Sequence, residues 1–283
     1  MYLDTTVIIV TFKSETVIFE CLKNINHFKQ IFILDNSNDA NLEIKIKSQY
    51  PNIFFFKSKY NLGYSRGHNF LLKMVKTKYA LLISPDVIFD FEEFSKIHYA
   101  DRFLNGDYAV LAPYDPNSLK KNYGFNSRIA KSVNQSIYSV DYVHGFFMFM
   151  NVMKIKSVGF FDKNFFLYNE DIDLCNRIKL SNEKIYIIKN LKVSHISSAS
   201  SDIGNEYYKC KDWHWMWSKF YLYKKNKGYF YAFLNYLPIL LKLLLKLLFF
   251  FFISNKLYLK NLMRFKGLLN SMLLKKSFYR PKI

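Results

Sequence analysis

Residues 7–35 read VIIVTFKSETVIFECLKNINHFKQIFILD. The stretch opens with β-branched apolar residues that stop at Thr11, continues with apolar residues at helical spacing after Ser14, and closes on an apolar run that stops at Asp35. This order predicts a strand, a helix capped by Ser14, and a second strand. Because strand and helix keep alternating up to residue 83, we expect βαβ units and a mostly parallel sheet flanked by helices. The predicted strands are 7–10, 31–34, 53–56 and 79–83, and the later predicted helices are 41–50 and 68–76.

The second half of the chain is less regular. Residues 108–112 and 140–150 predict two more core strands, and the polar stretch 113–135 between them predicts a loop. A short apparent strand at 191–194 ends at His195 and is followed by a serine-rich polar loop.

Polar side chains fall where the predicted strands end. Thr11, Asp35 and Asp86 each follow an apolar strand, and parallel sheets bind ligands at the carboxyl ends of their strands. The pattern therefore predicts a ligand site at that edge of the sheet. Asp35 has an alternative interpretation, because strand-end Asp and Asn residues also make turns.

Glycine-rich phosphate loops of the common kinds are missing from the sequence. No GxGxxG follows the first strand, no GxxxxGK[ST] occurs anywhere, and the connection 11–15 holds no glycine. These absences argue against a dinucleotide-binding Rossmann domain and against a P-loop nucleotide hydrolase.

The composition predicts a folded chain in two parts. Of the 283 residues, 51% are hydrophobic, and the formal net charge is +19. Residues 1–206 carry 25 basic and 21 acidic groups, whereas 207–283 carry 16 basic groups and the single acid Asp212. We therefore expect an ordinary soluble domain over 1–206 and a basic tail over 207–283. Three cysteines without CxxC spacing favour a reducing compartment, and no signal peptide is apparent, so we expect the chain to stay in the cytoplasm.

A cluster of acids marks the start of a predicted helix within residues 159–177. Glu170 and Asp171 are adjacent and follow an aromatic run, and mutual repulsion with partial desolvation suits a general base or a divalent-cation site. Asp173 has a structural alternative, an ion pair with Arg177 one helical turn later. A lone histidine such as His195 is often structural, but its place at a strand end favours a role in the site.

These pieces together resemble the inverting, GT-A-fold glycosyltransferases of family 2, especially the bacterial rhamnosyltransferase-like branch. The resemblance covers roughly residues 5–226 and rests on short pieces that keep the family's order and gaps. The pieces are VIIVTF (7–12), LDNS (34–37), NLGYSRGHN (61–69), LISPD (82–86), GFFD (159–162), FLYNEDIDL (166–174) and VSH (193–195).

The resemblance implies a role for each matching position. Thr11 and Asp35 would contact the nucleotide base and ribose, and Arg66 would meet a phosphate charge. Asp171 would be the catalytic base, with Glu170 as its supporting neighbour. The implied nucleotide-sugar-binding residues are Thr11, Asp35, Asn61, Gly63, Arg66, Asn69, Ser84 and Asp86.

The resemblance also implies a divalent cation, Mg²⁺ or Mn²⁺, held by Asp86 and His195. A departing nucleotide diphosphate develops negative charge, which a carboxylate-bound cation neutralises. Ser84 stands at the first position of the family's DxD-type motif, where this branch often has Asn, so we expect the metal affinity to be weak.

Residues 237–253 read LPILLKLLLKLLFFFFI. At ~1.5 Å per residue this run reaches about 25 Å, short of a ~30 Å hydrocarbon core. Lys242 and Lys246 fall near its middle and disfavour a spanning helix. An interfacial or re-entrant helix fits better, followed by a second helix over 256–276. A spanning helix stays open as the alternative, because extension back to Tyr229 gives 25 residues. The basic ridge of that second helix would consist of Lys256, Lys260 and Arg264.

Aromatic residues interleaved with lysines precede the apolar run, a pattern typical of an interface with anionic lipid. A tail packed on the protein's own domain or on a partner chain is the alternative. Nucleic-acid binding is disfavoured, because no nucleic-acid module accompanies the run. The aromatic residues are Trp213, Trp215, Trp217, Phe220, Tyr221 and Tyr223.

The sequence thus predicts a metal-dependent inverting glycosyltransferase. It would move a sugar, with L-rhamnose as the candidate, from a dTDP- or UDP-sugar to a lipid-linked or cell-surface glycan acceptor, as in O-antigen or capsule biosynthesis. The tail would hold it at the cytoplasmic face of the inner membrane as a peripheral or monotopic protein.

Two other functions stay open. A non-catalytic membrane scaffold is disfavoured, because the chain keeps Asp86, Glu170, Asp171 and His195. A nucleotidyltransferase of related fold would need a basic, glycine-rich loop, which residues 11–15 lack.

Overall fold

The computed structural model describes residues 2–114, 131–195 and 203–281. Most of the predicted loop 113–135 and the serine-rich stretch after His195 therefore lie outside the described residues. The chain divides into two compact units. Unit 1 comprises Met1–Leu62, Arg66–Asp162 and Asp171–Ser201, and unit 2 comprises Gly63–Ser65, Lys163–Glu170 and Asp202–Ile283. The domain boundary expected at 206/207 stays a prediction.

The strands of unit 1 form one large sheet and one small one. They are β1 Thr5–Thr11, β2 Gln30–Asp35, β3 Ile53–Lys57, β4 Tyr79–Ile83, β5 Val87–Ile88, β6 Val110–Pro113, β7 Lys131–Ser132, β8 Ile137–Ser139, β9 Phe147–Asn151, β10 Ile185–Ile188 and β11 Ser194–His195. Among the described residues the large sheet has the order β3-β2-β1-β4-β9-β6-β10-β8-β7, and β11 pairs with β5.

The first four strands of the large sheet are parallel neighbours, as the sequence predicts. β9 runs antiparallel to both β4 and β6, and β10 again runs parallel to β6. The sheet is therefore mixed. Val7, Ile8 and Ile9 of β1 are fully buried, because helices cover both faces of such a sheet, and this burial explains the unbroken apolar runs.

The helices that cross or flank unit 1 are α1 Glu15–Ile25, α2 Ala40–Gln49, α3 Gly63–Leu72, α4 Phe94–Phe103, α5 Val152–Val158 and α6 Glu170–Leu180. The predicted start of α3 at residue 68 is wrong, because the glycine-containing segment is already helical from Gly63. A Cβ at Gly67 would lie 2.9 Å from Val10 Cγ1, so glycine lets α3 approach β1.

Three smaller expectations also need correction. Ser14 stands at the N-cap position of α1 without a capping bond from its side chain, and its hydroxyl accepts from the Phe12 N–H at 3.1 Å. The strand predicted over 140–150 begins only at Phe147. The strand predicted over 191–194 shrinks to β11, which includes His195.

Three helices form most of the described part of unit 2: α7 Asn205–Lys227, α8 Tyr229–Phe251 and α9 Asn255–Met272. Among the described residues, α8 is the one helix long and apolar enough to cross a membrane by length and composition. Phe220, Tyr236 and Leu268, one from each helix, lie in a shared apolar cluster.

The aromatic residues expected at a membrane interface are mostly core residues of unit 2. Trp213 and Trp217 are buried and pack with Met263 of α9. They are four residues apart and so share one face of α7 with Phe220. Arg264 does not belong to a free basic ridge, because its Nε binds the Asp212 carboxylate at 2.7 Å.

A neutral histidine joins α7 to the end of the chain. His214 Nε2 lies 3.0 Å from the Tyr279 carbonyl oxygen, which can only accept, and Nδ1 lies 3.1 Å from the Ser277 hydroxyl. Both ring nitrogens of the neutral form therefore have partners. Burial lowers the pKa of His214 to about 3, so the ring carries no charge near neutral pH.

α7 and α9 meet backbone to backbone at Gly267. A Cβ at this position would lie 2.9 Å from the Trp213 carbonyl carbon and closer still to its oxygen. Any side chain at residue 267 would therefore push the two helices apart.

We expect Gly267→Ala to destabilise unit 2 by about 1–3 kcal/mol, because the added methyl overpacks the contact with Trp213. In an exposed helix the same change stabilises by about 1 kcal/mol, so the close approach reverses the sign. Denaturant unfolding followed by circular dichroism measures the effect. Lys266→Ala, at an exposed position of the same helix, serves as the control and should change little. Equal stability of Gly267→Ala and the wild type would contradict the close approach.

Candidate functional site

Thr11 and Asp35 lie side by side where β1 and β2 end. The two residues are paired in the parallel register, and Thr11 Oγ1 donates to Asp35 Oδ1 at 3.0 Å. The Asp35 carboxylate also accepts from the Ser37 hydroxyl at 2.7 Å and from the Asp39 N–H at 2.8 Å. Both side chains are fully buried. The turn interpretation of Asp35 is thus realised, and its contact with a nucleotide stays a prediction.

The residues of the 61–69 segment separate into different environments. Arg66 is exposed on α3, and Asn61 is half-buried. Asn69 fixes α3 to the chain before α6, since its amide donates to the Phe161 carbonyl at 2.8 Å and accepts from the Phe161 N–H at 3.0 Å. Asn69 therefore has a structural task whether or not it meets a sugar.

Gly63 belongs to unit 2 and has a backbone that only glycine adopts easily. Its φ is +73°, and a Cβ there would lie 2.5 Å from the Phe166 carbonyl oxygen. The neighbouring Tyr64 N–H donates to that same oxygen at 2.8 Å. Glycine at this position thus serves a backbone contact inside unit 2.

Ser84, Asp86 and His195 come together beyond the end of β4. β5 begins directly after Asp86, and its antiparallel pairing with β11 sets His195 opposite Val87. His195 Nε2 lies 3.5 Å from Asp86 Oδ1. The Phe146 ring stacks on the His195 ring, with centroids 4.5 Å apart and planes 6° apart.

The Asp86 carboxylate is buried with unused acceptor capacity. The residue is 1% exposed, and neither carboxylate oxygen has a hydrogen-bond donor among the described residues. Cys21 lies near it, and burial, assisted by the negative charge of Asp86, raises the pKa of the Cys21 thiol, so this sulfur stays protonated. A protonated thiol is a poor metal ligand.

Asp86 and His195 fit a divalent cation as a partial ligand set. Within the described ranges, no group of three or more His, Cys, Asp or Glu side chains is arranged to hold a metal. Mg²⁺ and related ions in phosphate-transfer sites commonly take one or two carboxylates and complete their shell with substrate phosphates and water. A carboxylate without a donor, faced by an imidazole, matches that mode of binding.

Asp171, in the first turn of α6, is held by backbone N–H groups. Its Oδ2 accepts from the Gly145 N–H at 3.1 Å, and its Oδ1 accepts from the Ile172 N–H at 2.8 Å. His144 Nδ1 lies 3.6 Å from Oδ2. Burial, together with the Asp171 charge, raises the pKa of Tyr142 to about 12. Asp171 is thus an oriented carboxylate with a neutral phenol near it.

The segment His144–Phe146 connects the two carboxylates of the site. Its first two residues contact Asp171. Its third residue stacks on His195, and the Phe146 carbonyl accepts from the Ser84 N–H at 2.9 Å. No motif in the sequence predicts a role for this segment. The His-Gly pair before an apolar run was the one available hint, and it carries no indication of a partner 26 residues later.

Glu170 and Asp173 lie on either side of Asp171 in sequence and have different tasks. Glu170 is buried in unit 2, directly after Tyr168 and Asn169, whose φ values of 69° and 63° are left-handed. Such strained backbone gathers at functional sites. Asp173 makes the expected ion pair with Arg177 at 2.9 Å. Arg177 also donates to the Val158 and Gly159 carbonyls and so fixes α6 to the preceding turn.

Relatives of known function are similar to this chain in sequence. The low-salt glycan biosynthesis hexosyltransferase Agl10 of Haloferax volcanii is 24% identical over 200 residues, which are 64% of this chain and 64% of Agl10. The rhamnosyltransferase WbbL of Escherichia coli is 26% identical over 250 residues, which are 78% of this chain and 93% of WbbL.

A solved structure confirms the predicted GT-A fold. The mannosyltransferase PcManGT from Pyrobaculum calidifontis, in complex with GDP-Man and Mn²⁺, superposes with a TM-score of 0.59. The likeness covers 96% of this chain and 88% of PcManGT at 11% identity. At that identity the likeness shows the fold alone.

The family itself follows from the sequence match. The family model for "Glycosyl transferase family 2" matches residues 6–175, which is more than half of the chain. That range includes both strand ends with Thr11 and Asp35, the buried Asp86 and the oriented Asp171. The chain belongs to glycosyl transferase family 2.

Proposed function

We propose that this chain is a metal-dependent, inverting glycosyltransferase. It moves a hexose, with L-rhamnose as the candidate, from a nucleotide-diphosphate donor to a lipid-linked or cell-surface glycan acceptor. The observation that carries the proposal is the buried Asp86 carboxylate, which has no hydrogen-bond donor among the described residues and faces His195. A carboxylate in that condition costs free energy unless a cation binds it.

Asp86 and His195 are the residues that would hold the cation, either Mg²⁺ or Mn²⁺. When bound, the cation offsets the negative charge that develops on the departing diphosphate. PcManGT, which shares the fold, was solved with GDP-Man and Mn²⁺. That complex supports a cation and a nucleotide-diphosphate sugar here; a dTDP- or UDP-sugar remains our proposal for the donor.

Asp171 is the proposed general base. It accepts the proton of the acceptor hydroxyl while that oxygen attacks the anomeric carbon of the donor sugar. The bond from the anomeric carbon to the diphosphate breaks, and its electron pair leaves with the diphosphate. Attack from the opposite side inverts the anomeric centre. The N–H donors of Gly145 and Ile172 already orient the carboxylate, so little reorganisation accompanies the step.

The remaining site residues keep the tasks that the resemblance implies. Thr11 and Asp35 are proposed to contact the base and ribose, and Arg66, exposed on α3, is proposed to meet a phosphate charge. The full set proposed for the nucleotide sugar is Thr11, Asp35, Asn61, Gly63, Arg66, Asn69, Ser84 and Asp86, with Glu170 supporting Asp171.

An acceptor carried by a membrane lipid implies a place for the enzyme. We place it at the cytoplasmic face of the inner membrane as a peripheral or monotopic protein that serves O-antigen, capsule or related polysaccharide synthesis. The relatives Agl10 and WbbL, a glycan-biosynthesis hexosyltransferase and a rhamnosyltransferase, support a role in glycan assembly.

We expect Asp171→Asn to lower kcat by ~10²–10⁴-fold, because the amide cannot take the acceptor proton. A panel of nucleotide sugars, screened by thermal shift and donor hydrolysis, first identifies the donor, and transfer is then measured with it. Donor binding by the variant should persist. Asp141→Asn, which removes a half-buried carboxylate paired with Lys179, is the matched control. Full transfer by Asp171→Asn would remove the base assignment, and no turnover of any donor by the wild type would favour a scaffold.

We expect Asp86→Asn to stabilise the metal-free protein and to abolish its response to metal. Neutralising a buried charge without a donor should raise the Tm in EDTA by about 2–4 °C, equivalent to ~1 kcal/mol. Mn²⁺ should raise the Tm of the wild type but not that of the variant. Differential scanning calorimetry with EDTA and with Mn²⁺ measures both effects, with Asp141→Asn again as control. Equal Mn²⁺ shifts in the wild type and Asp86→Asn would exclude Asp86 as a ligand.

A further inference from the structure

Three stripes of different character run along α8. Residues spaced by three, four and seven positions share a face of a helix, so each stripe occupies one side. The buried stripe consists of Ala232, Tyr236, Leu243 and Leu247. The exposed apolar stripe consists of Leu234, Leu241, Leu245 and Leu248. The polar stripe consists of Asn235, Lys242 and Lys246.

The buried stripe fixes α8 along its neighbours. Three of its members, Ala232, Tyr236 and Leu243, extend over ~18 Å of helix and belong to the apolar cluster formed with α7 and α9. α8 could cross a bilayer only if those two helices entered the hydrocarbon with it. They carry the Asp212–Arg264 ion pair and exposed lysines such as Lys260, and such groups are costly inside a membrane. This packing therefore argues against a span by α8.

The exposed apolar stripe continues through the last residues of α8 into the turn before α9, a stretch called the 249–253 segment. Phe249, Phe251, Phe252 and Ile253 are all more than half exposed, and Phe252 reaches 86%. A contiguous apolar surface of this kind marks an interaction site.

The charges around this surface decide its occupant. Lys242 and Lys246 border the apolar stripe, and residues 213–283 contain no acid. A second copy of the chain would bring like charges together, whereas anionic lipid headgroups complement them. We propose that unit 2 docks on an anionic bilayer with α8 in the plane of the interface, its apolar stripe and the 249–253 segment among the acyl chains, and its lysines among the headgroups.

Vesicle sedimentation with the full chain tests the docking. Vesicles of phosphatidylcholine with 30% phosphatidylglycerol should bind the wild type, and pure phosphatidylcholine should bind it more weakly. Replacing Leu234, Leu241 and Leu245, which are 53–66% exposed, with Gln should weaken binding by at least ~10-fold. The matched control replaces Ile44, Met153 and Leu180 of unit 1, which are 67–79% exposed, with Gln and should bind like the wild type.

The charge contribution is tested separately. Lys242→Glu with Lys246→Glu should weaken binding to the anionic vesicles by at least ~10-fold, while Lys73→Glu with Lys76→Glu, at exposed positions of unit 1, should not. Protein that pellets with vesicles and resists both salt and alkaline extraction would overturn the in-plane geometry in favour of a span. A dimer in light scattering that the Leu→Gln variant loses, without lipid binding, would overturn lipid as the occupant.

A second inference concerns His144 and rests on the proposed function. Its Nδ1 lies 3.6 Å from the Asp171 oxygen that already accepts from Gly145. Its side chain is 37% exposed, so it borders the site without belonging to the core. We infer that His144 is a positioning residue, whose imidazole aims Asp171 at the acceptor hydroxyl.

Kinetics on two variants separate positioning from a structural role. His144→Ala should lower kcat by ~10-fold or more and leave the donor KM within about two-fold of the wild type. His144→Asn, whose amide nitrogen can take the place of Nδ1, should recover most of the rate. Equal kcat in His144→Ala and the wild type, with Asp171→Asn inactive, would overturn the positioning role alone. If Asp171→Asn is also fully active, the proposed base fails instead.

Discussion

A buried carboxylate at the end of β4 is the constraint on which the rest of the site depends. Asp86 is almost completely removed from solvent, and no donor among the described residues compensates its oxygens. Taking an ion out of water without a partner costs several kcal/mol. The chain nevertheless places His195 beside it through the pairing of β5 with β11. The pair is incomplete as a structural interaction, and for that reason we propose it as part of a cation site at this edge of the sheet.

Much of the fold follows from patterns in the sequence. The four parallel strands and α6 were predicted because buried strands are continuous apolar runs and because the acids of α6 crowd its first turn. The Asp173–Arg177 pair was predicted from spacing alone. The antiparallel direction of β9 was not predicted, because an antiparallel strand buried between neighbours has the same apolar sequence pattern as a parallel one. The start of α3 was predicted too late in the sequence. A glycine that permits close packing, such as Gly67, has the same sequence signature as a glycine in a turn.

The candidate site was predictable only where side chains carry it. Asp86, Asp171 and His195 were identifiable from residue type and position, and their roles remain proposals. The contacts that hold Asp171 were not predictable, because a backbone N–H such as that of Gly145 has no signature in sequence. The buried aromatic residues of α7 show the converse, since tryptophans beside lysines suit a membrane interface and a helical core equally well until Trp213 is seen to pack with Met263.

Two exposed sides of α8, one apolar and one positively charged, are poorly suited to water. The buried stripe of α8 already makes the apolar contacts of the fold. The leucines on the exposed stripe bury no further surface, and their contact with water is unfavourable. The lysines beside them repel one another, with Asp212 as the one acid after residue 206. Water therefore solvates the exposed apolar stripe of α8 poorly. On the neighbouring polar stripe, few acids compensate the positive charge of Lys242 and Lys246. The anionic bilayer that we propose would bury the apolar stripe and also compensate the lysine charge. A neutral apolar partner would only bury the stripe.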